Sequence, residues 1–276
     1  MAEAGWDSGG PGGSRRSPDR VIQEHTGLGP SVLTAALATS QQATESAGVP
    51  TNALDVAIVG GGPAGLATAI AARLAGLDRV AVFERFSPPI DKACGEGLMP
   101  DGAACLEALG VRIDRLRAFP FTGIRYLDGE IVAEGRFPHG WGLGVRRTEL
   151  HRALIERAEE VGVELRWGSN VTGIEGVGPP ARAWTALRTE GGAVTARFVV
   201  AADGLNSRAR AWAGLALPRG EGSRPATGRS HRALARRRFG VRRHYRLAPW
   251  TEQVEVYWQD RAEAYVTPVG PDEVGG

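Results

Sequence analysis

Sulfur is scarce in this chain of 276 residues, which has two cysteines, Cys94 and Cys105, and two methionines. Two cysteines with no histidine cluster beside them do not make a zinc site. Nothing else points to an oxidising compartment, so a structural disulfide between them is not expected, and the chain reads as cytoplasmic. No apolar run reaches the roughly 18 residues that a membrane-spanning helix needs, so no integral membrane segment is expected. The net charge of +2 is too small to call for a polyanionic partner. Three signatures are also missing: G-x-S-x-G, H-E-x-x-H and G-x-x-x-x-G-K-[ST]. Without them the serine-hydrolase, zinc-protease and P-loop readings fall away.

Residues 1–53 lack apolar periodicity. Their opening, MAEAGWDSGGPGGSRRSPDR, is rich in glycine, serine, proline and charge. Such a segment buries too little surface to offset its ordering entropy, and it reads as a disordered leader or an overextended start of the reading frame. The Arg15-Arg16 pair invites an export reading, but no apolar stretch of suitable length follows it directly. A transient helix over Ser31–Thr44 is the most this region offers.

What the chain does have lies between Asp55 and Glu84. The apolar run Val56, Ala57, Ile58, Val59 predicts a buried strand. A turn with Gly60, Gly62 and Gly65 in G-x-G-x-x-G spacing follows it. Next come a small-residue helix from Pro63 to Ala75, closed by Gly76, and a second strand, Val80–Phe83, ending at Glu84. Each part suits the binding of a dinucleotide. Gly60 permits the tight turn, Gly62 lets the backbone approach a pyrophosphate, and Gly65 lets helix and strand pack closely. The helix opens at Pro63, Ala64 and Gly65, where the free N–H groups favour negative charge; Pro63 itself has no N–H to leave unpaired. Glu84 follows the glycines by about 20 residues, the distance at which a carboxylate accepts ribose hydroxyls and repels a 2′-phosphate. FAD and NAD both satisfy these constraints.

The segment GGGPAGLATAIAARLAG followed by VFER resembles the N-terminal FAD fingerprint of flavoprotein monooxygenases of the para-hydroxybenzoate hydroxylase type, and equally of the related geranylgeranyl-reductase branch. Arg147-Thr148-Glu149-Leu150 resembles the family's R-x-x-L segment, whose arginine reaches the FAD. Phe198 to Arg208, with Asp203-Gly204 inside it, resembles the second, D-G-containing motif near the flavin. The resemblance spans residues 54–276. It implies FAD as cofactor, NAD(P)H as co-substrate and a small aromatic or apolar substrate. The activity it implies is NAD(P)H-dependent hydroxylation or, on the reductase branch, saturation of prenyl double bonds. The implied fold is α/β, a Rossmann-like FAD-binding domain with an interleaved β-rich substrate domain. On this reading residues 54–118 and 140–217 form the FAD-binding domain, and residues 119–139 and 218–276 form part of the substrate domain. Family members run further than Gly276 and carry a third FAD motif there, so the chain reads as a fragment, with an inactive FAD-binding module as the bland alternative.

Other candidates are weaker. Arg85 could stack on adenine, pair with phosphate, or sit on the surface, and Arg146 competes with Arg147 for the cofactor role. Asp203 stands at a strand end, where an Asx turn is the alternative. Arg208 could serve an NADPH phosphate or only the surface. Cys94-Gly95-Glu96-Gly97 resembles a cysteine-glycine segment beside the flavin in the reductase branch, although Glu96 takes the place of a small residue. His139 and His151 read as surface residues.

For the remainder, helices are predicted at Pro100–Leu109, with Gly110 as C-cap, and at Thr148–Val161, with Leu150, Leu154, Ala158 and Val161 on one stripe. Phe121–Tyr126 and Ile131–Glu134 flank the hairpin signal Asp128-Gly129. Strands are expected at Glu164–Trp167, Val171–Glu175, Trp184–Arg188 and Val194–Ala201, the last fully buried. The arginine-rich run Arg229–Arg246 could be a nucleic-acid patch. Period-two alternation favours a strand, with Phe239, Val241, Tyr245 and Leu247 inward and Arg238, Arg242 and Arg246 solvated. Val254–Trp258 and Ala264–Val266 continue as strands, and residues 270–276 look like a hairpin turn.

Overall fold

In the computed structural model, residues 52–176, 184–216 and 239–276 are described. The leader, most of the arginine-rich run and the expected loop at 220–228 lie outside them. Residues 50–276 form one compact unit.

The apolar run becomes β1 (Leu54–Val59), the glycine turn leads into α1 (Pro63–Leu74), and β2 (Val80–Glu84) follows. A six-stranded sheet grows around β1, with β8 (Glu164–Trp167), β9 (Val171–Glu175), β10 (Thr185–Thr189) and β11 (Gly192–Ala201) in the order β8-β2-β1-β11-β10-β9. The first four are mutually parallel, and β10 and β9 extend the sheet antiparallel. A parallel pair needs a crossover, and α1 supplies the one between β1 and β2. Both faces of the sheet are covered. On one face Val56, Ile58, Val80 and Val82 pack with Leu66 and Ile70 of α1 and with Leu154 and Ala158 of α3 (Arg147–Glu160). On the other, Ala57, Val59, Ala81 and Phe83 pack with Val171 and Leu187.

Expectation and observation differ at β11. Its continuously apolar end is half-buried, and Ala196 is the fully buried residue of the strand. The reason is lateral: α1 lies over β1 and β2, so the neighbouring β11 is covered only in part.

A second sheet has the order β12-β15-β14-β13-β5-β6. Its strands are β5 (Gly123–Asp128), β6 (Ile131–Arg136), β12 (His244–Arg246), β13 (Val254–Gln259), β14 (Ala262–Gly270) and β15 (Glu273–Gly275). A third, small sheet joins β3 (Gly97–Leu98), β7 (Gly142–Val145) and β4 (Ala118–Phe121). The single strand expected over Phe121–Tyr126 is therefore two. The chain changes sheets at Thr122, whose N–H donates to the Glu252 carbonyl (2.7 Å) and whose carbonyl accepts from Phe137 N–H (3.0 Å). The hairpin also slips by one residue. Asp128 pairs with Ile131, leaving Gly129-Glu130 as the loop, and Gly129 takes φ 56 at the first central position, as a type II′ turn requires. Helix α2 (Pro100–Ala108) ends at Gly110 with φ 74, as read from the sequence.

The strand expected over residues 239–247 contracts to β12. Phe239 and Val241 are 81% and 89% exposed, so they do not face inward. Arg242, read as solvated, is instead paired with Asp91 and Glu96. Pairing with the buried Glu96 carboxylate, and with the exposed Asp91 beside it, outweighs the alternation of the run.

Candidate FAD site

The loop between β1 and α1 is shaped by what each glycine must avoid. Gly60 has φ 111, and a Cβ there would stand 2.3 Å from the Ala202 carbonyl oxygen. A Cβ on Gly65 would stand 1.9 Å from the Gly60 oxygen, so helix and loop touch only because both residues are glycine. Gly62 is different. A Cβ there would meet nothing within 4 Å, and its backbone (φ −75, ψ 178) is ordinary. The space above Gly62 is open, while the spaces at Gly60 and Gly65 are filled. Gly62 also caps α1 with no side-chain hydrogen bond, Pro63 follows, and the first turn contains no acid. The amides of Ala64 and Gly65 thus begin a twelve-residue helix whose positive end no side chain of its own neutralises.

Gly61 is held at both of its polar groups. Its N–H donates to Glu84 Oε2 (2.9 Å), and its carbonyl lies 2.7 Å from His151 Nε2. His151 Nδ1 accepts from Ile90 N–H (3.3 Å), so Nε2 carries the proton. His151, expected on the surface, is 0% exposed on α3. Burial pushes its imidazole below the ordinary value of 6.5, with the hydrogen bond to Gly61 opposing in part. Its spacing gave the signal: His151, Leu154 and Ala158 are the buried stripe of α3, with Leu150 and Val161 at its margins. His139 is exposed, as expected.

Glu84 ends β2 at the same rim. Its second oxygen accepts from Phe86 N–H (3.0 Å). The carboxylate thus engages backbone amides on both sides and, among the described residues, forms no ion pair with Arg79 or Arg85. It lines a groove together with Gly60, Lys92, Asn170, Asp203 and Arg208. Arg85 stands at the rim of that groove, its guanidinium 4.6 Å above the Phe86 ring.

Asp203 also borders the groove, but its carboxylate is turned toward α4 (Arg208–Trp212). It accepts from the Ser207 hydroxyl (2.6 Å) and from the amides of Arg208 (2.7 Å) and Ala209 (3.1 Å). Burial opposes its charge, yet these hydrogen bonds outweigh burial and hold the carboxyl below its ordinary value. Gly204 follows with φ 84, making the turn.

A second cavity, of about 290 Å³, opens where the small sheet meets the second large sheet. Phe121, Ile124, Tyr126, Val254, Val256 and Tyr265 give it an apolar lining. Cys94–Gly97 and Arg147 also line it. Arg147 is the first residue of α3; its amide donates to Glu96 Oε1 (2.8 Å) and its Nε to the Ile90 carbonyl (3.3 Å). Its competitor Arg146 pairs with Glu273 (3.0 Å) and does not line the cavity. Cys94 and Cys105 are free thiols. The structure thus gathers Gly60, Gly62, Pro63, Ala64, Gly65, Glu84, Arg85, Asp203 and Gly204 around the glycine loop and its groove, with Arg147 at the apolar cavity. His151 and Arg242, both read from the sequence as surface residues, join these surroundings, as does His244, which was not singled out.

Residues 53–230 match the FAD binding domain family. The chain belongs to that family. Over 160 residues it is 32% identical to a menaquinone reductase of Mycobacterium tuberculosis, covering 55% of this chain and 38% of that protein. Over 161 residues it is 30% identical to a rifampicin monooxygenase of Rhodococcus hoagii, covering 56% of this chain and 33% of that one. The match therefore spans well under half the length of either relative. Among solved structures, p-nitrophenol 4-monooxygenase PnpA from Pseudomonas putida superposes with a TM-score of 0.59 at 20% identity, covering 81% of this chain and 57% of that one. A geranylgeranyl bacteriochlorophyll reductase-like protein of Thermoplasma acidophilum superposes at 0.55 with 21% identity, covering 81% and 56%. Both share the α/β fold, and the FAD-binding family assignment agrees with the open cradle above Gly62. No helix among the described residues is long and apolar enough to cross a membrane.

Proposed function

We propose that this chain binds FAD along the glycine loop and, with NAD(P)H as reductant, hydroxylates a small aromatic or apolar substrate held in the second cavity. The observation that carries the reading is the contrast within the loop: Gly60 and Gly65 are closed against backbone, while Gly62 opens into free space beside an uncapped helix start. That cradle suits a pyrophosphate. Glu84 at the end of β2 suits the adenosine ribose, and Arg85 and Asp203 border the same groove. Bound FAD would supply the two-electron chemistry, and the protein binds and orients. The apolar wall of Phe121, Val254 and Val256 excludes water from the substrate, and Arg147 faces that space as a cation. Residues 54–118 and 140–217 then serve the cofactor, and residues 119–139 and 218–276 the substrate. A cytoplasmic location and freedom from nucleic acid belong to the same reading.

A second reading has an observation of its own. The menaquinone reductase similarity, together with the Cys94–Gly97 wall, favours a flavin-dependent reductase of double bonds in an apolar chain. The absorption spectrum of the purified protein tests the cofactor, and flavin bands are expected. Oxygen-coupled NAD(P)H consumption with a phenolic substrate supports hydroxylation, whereas anaerobic saturation of a polyprenyl lipid supports the reductase. Apoprotein that takes up no FAD on titration would overturn both.

A further inference from the structure

Among the described residues, Glu96 is the one non-glycine residue with positive φ, at 54. A side chain in that conformation is strained, whereas a glycine would adopt it without strain. The Glu96 side chain is nevertheless 2% exposed, so what the position keeps is a buried carboxylate.

That carboxylate is fully engaged. Oε1 accepts from the Arg147 amide (2.8 Å) and pairs with Arg242 Nη1 (2.9 Å), and Oε2 lies 2.6 Å from His244 Nε2. The Glu96 backbone carbonyl also accepts from Val145 N–H (2.9 Å). Arg242 reaches on to Asp91, and the Gly95 carbonyl accepts from the Thr267 hydroxyl (2.6 Å). Three segments far apart in sequence meet on one acid: the Cys94–Gly97 cavity wall, the start of α3, and the β12 edge.

We propose that Glu96 is a positioning residue of the cavity, whose buried carboxylate fixes the Cys94–Gly97 wall and the Arg147 end of α3 against β12. A ligand at the cavity then meets a wall already in place, rather than one it must order on binding. Where the flavin end of FAD reaches this cavity, the inference rests on the cofactor reading above. The competing account is a plain turn that happens to contain an acid.

Glu96→Gly separates the two accounts, because it relieves the backbone while deleting the carboxylate. Glu96→Gln keeps the shape and one acceptor but removes the charge. In the full chain, amide hydrogen exchange at Arg147 and across residues 244–246 should quicken about tenfold or more in Glu96→Gly, as loss of charge-assisted bonds implies. It should quicken less in Glu96→Gln, and β1 and α1 should not change. With FAD as the probe, the visible band of the bound flavin should alter in shape in Glu96→Gly and be partly restored in Glu96→Gln. Wild-type exchange in Glu96→Gly would overturn the proposal, as would faster exchange with an unchanged flavin band. If Glu96→Gly does not fold, Glu96→Gln alone carries both readouts, and wild-type behaviour in it overturns the proposal. A wild-type chain that binds no FAD is a separate result, seen before any variant is made, and it counts against the proposed function.

Discussion

Gly62 and Gly65 should respond in opposite ways to the same added methyl group. At Gly65 the new Cβ would lie 1.9 Å from the Gly60 oxygen and 3.1 Å from its carbonyl carbon. Both atoms are backbone, inside a loop already fixed against Ala202, so helix and strand must part. Overpacking of this kind costs about 1–3 kcal/mol or more. At Gly62 the Cβ meets nothing within 4 Å, and the backbone there is one that alanine adopts freely. Gly62→Ala should therefore leave stability unchanged or raise it by up to about 1 kcal/mol through the unfolded chain. FAD affinity should nevertheless fall, because the methyl group fills the approach of the pyrophosphate to the amides of α1. Loss of one charge-assisted hydrogen bond is worth about 1.5–3 kcal/mol, or roughly 10- to 150-fold in affinity. Gly62→Val should remove binding altogether. Thermal unfolding of the apoprotein, paired with fluorescence titration by FAD, reads both quantities. A Gly62→Ala protein of wild-type stability and wild-type FAD affinity would refute the cradle, and a Gly65→Ala protein as stable as wild type would refute the packing argument.

Glu84→Ala should lower FAD affinity by about 1.5–3 kcal/mol if the carboxylate takes ribose hydroxyls, and equal affinity in the two proteins would leave it a loop-holding role only. It should also lower stability by about 1–3 kcal/mol in a denaturant titration, since the amides of Gly61 and Phe86 lose their acceptor. Burial holds His151 below its ordinary 6.5, so between its folded value and 6.5 the unfolded chain binds a proton that the folded chain does not. Its contribution is complete above about pH 6.5 and is lost as pH falls through that window. Stability measured against pH should fall less steeply there in His151→Phe than in wild type, and identical slopes would contradict the burial argument.

The parts of this fold legible in the sequence are those set by local chemistry. The βαβ unit of Asp55–Glu84, the turn at Gly110 and the strands Glu164–Trp167 and Val171–Glu175 follow from periodicity and glycine placement alone. What escaped was decided by distant partners. Nothing within a few residues of Thr122 says that the chain changes sheets there, because the deciding bond goes to Glu252. Arg242 alternates as a surface residue should, yet Asp91 and Glu96 claim it. Glu84 was placed at the right rim by spacing, but its grip on Gly61 depends on how the loop folds back. The outcome at Glu84 therefore changes one expectation: its removal should disturb the loop as well as the cofactor.

The register of β1 against β11, with Leu54 beside Ala196 and Val59 beside Ala201, also governs how the molecule comes into being. This interior strand of the first sheet has one neighbour made soon after it, β2, and another, β11, synthesised far later. At ordinary elongation rates the second edge of β1 waits on the order of ten seconds for its partner. During that interval an apolar strand stands with one row of amides and carbonyls unpaired, the condition in which nascent chains stick to one another. Expression at lower temperature or with added holding chaperones should thus raise the soluble yield of this chain more than any change to its surface.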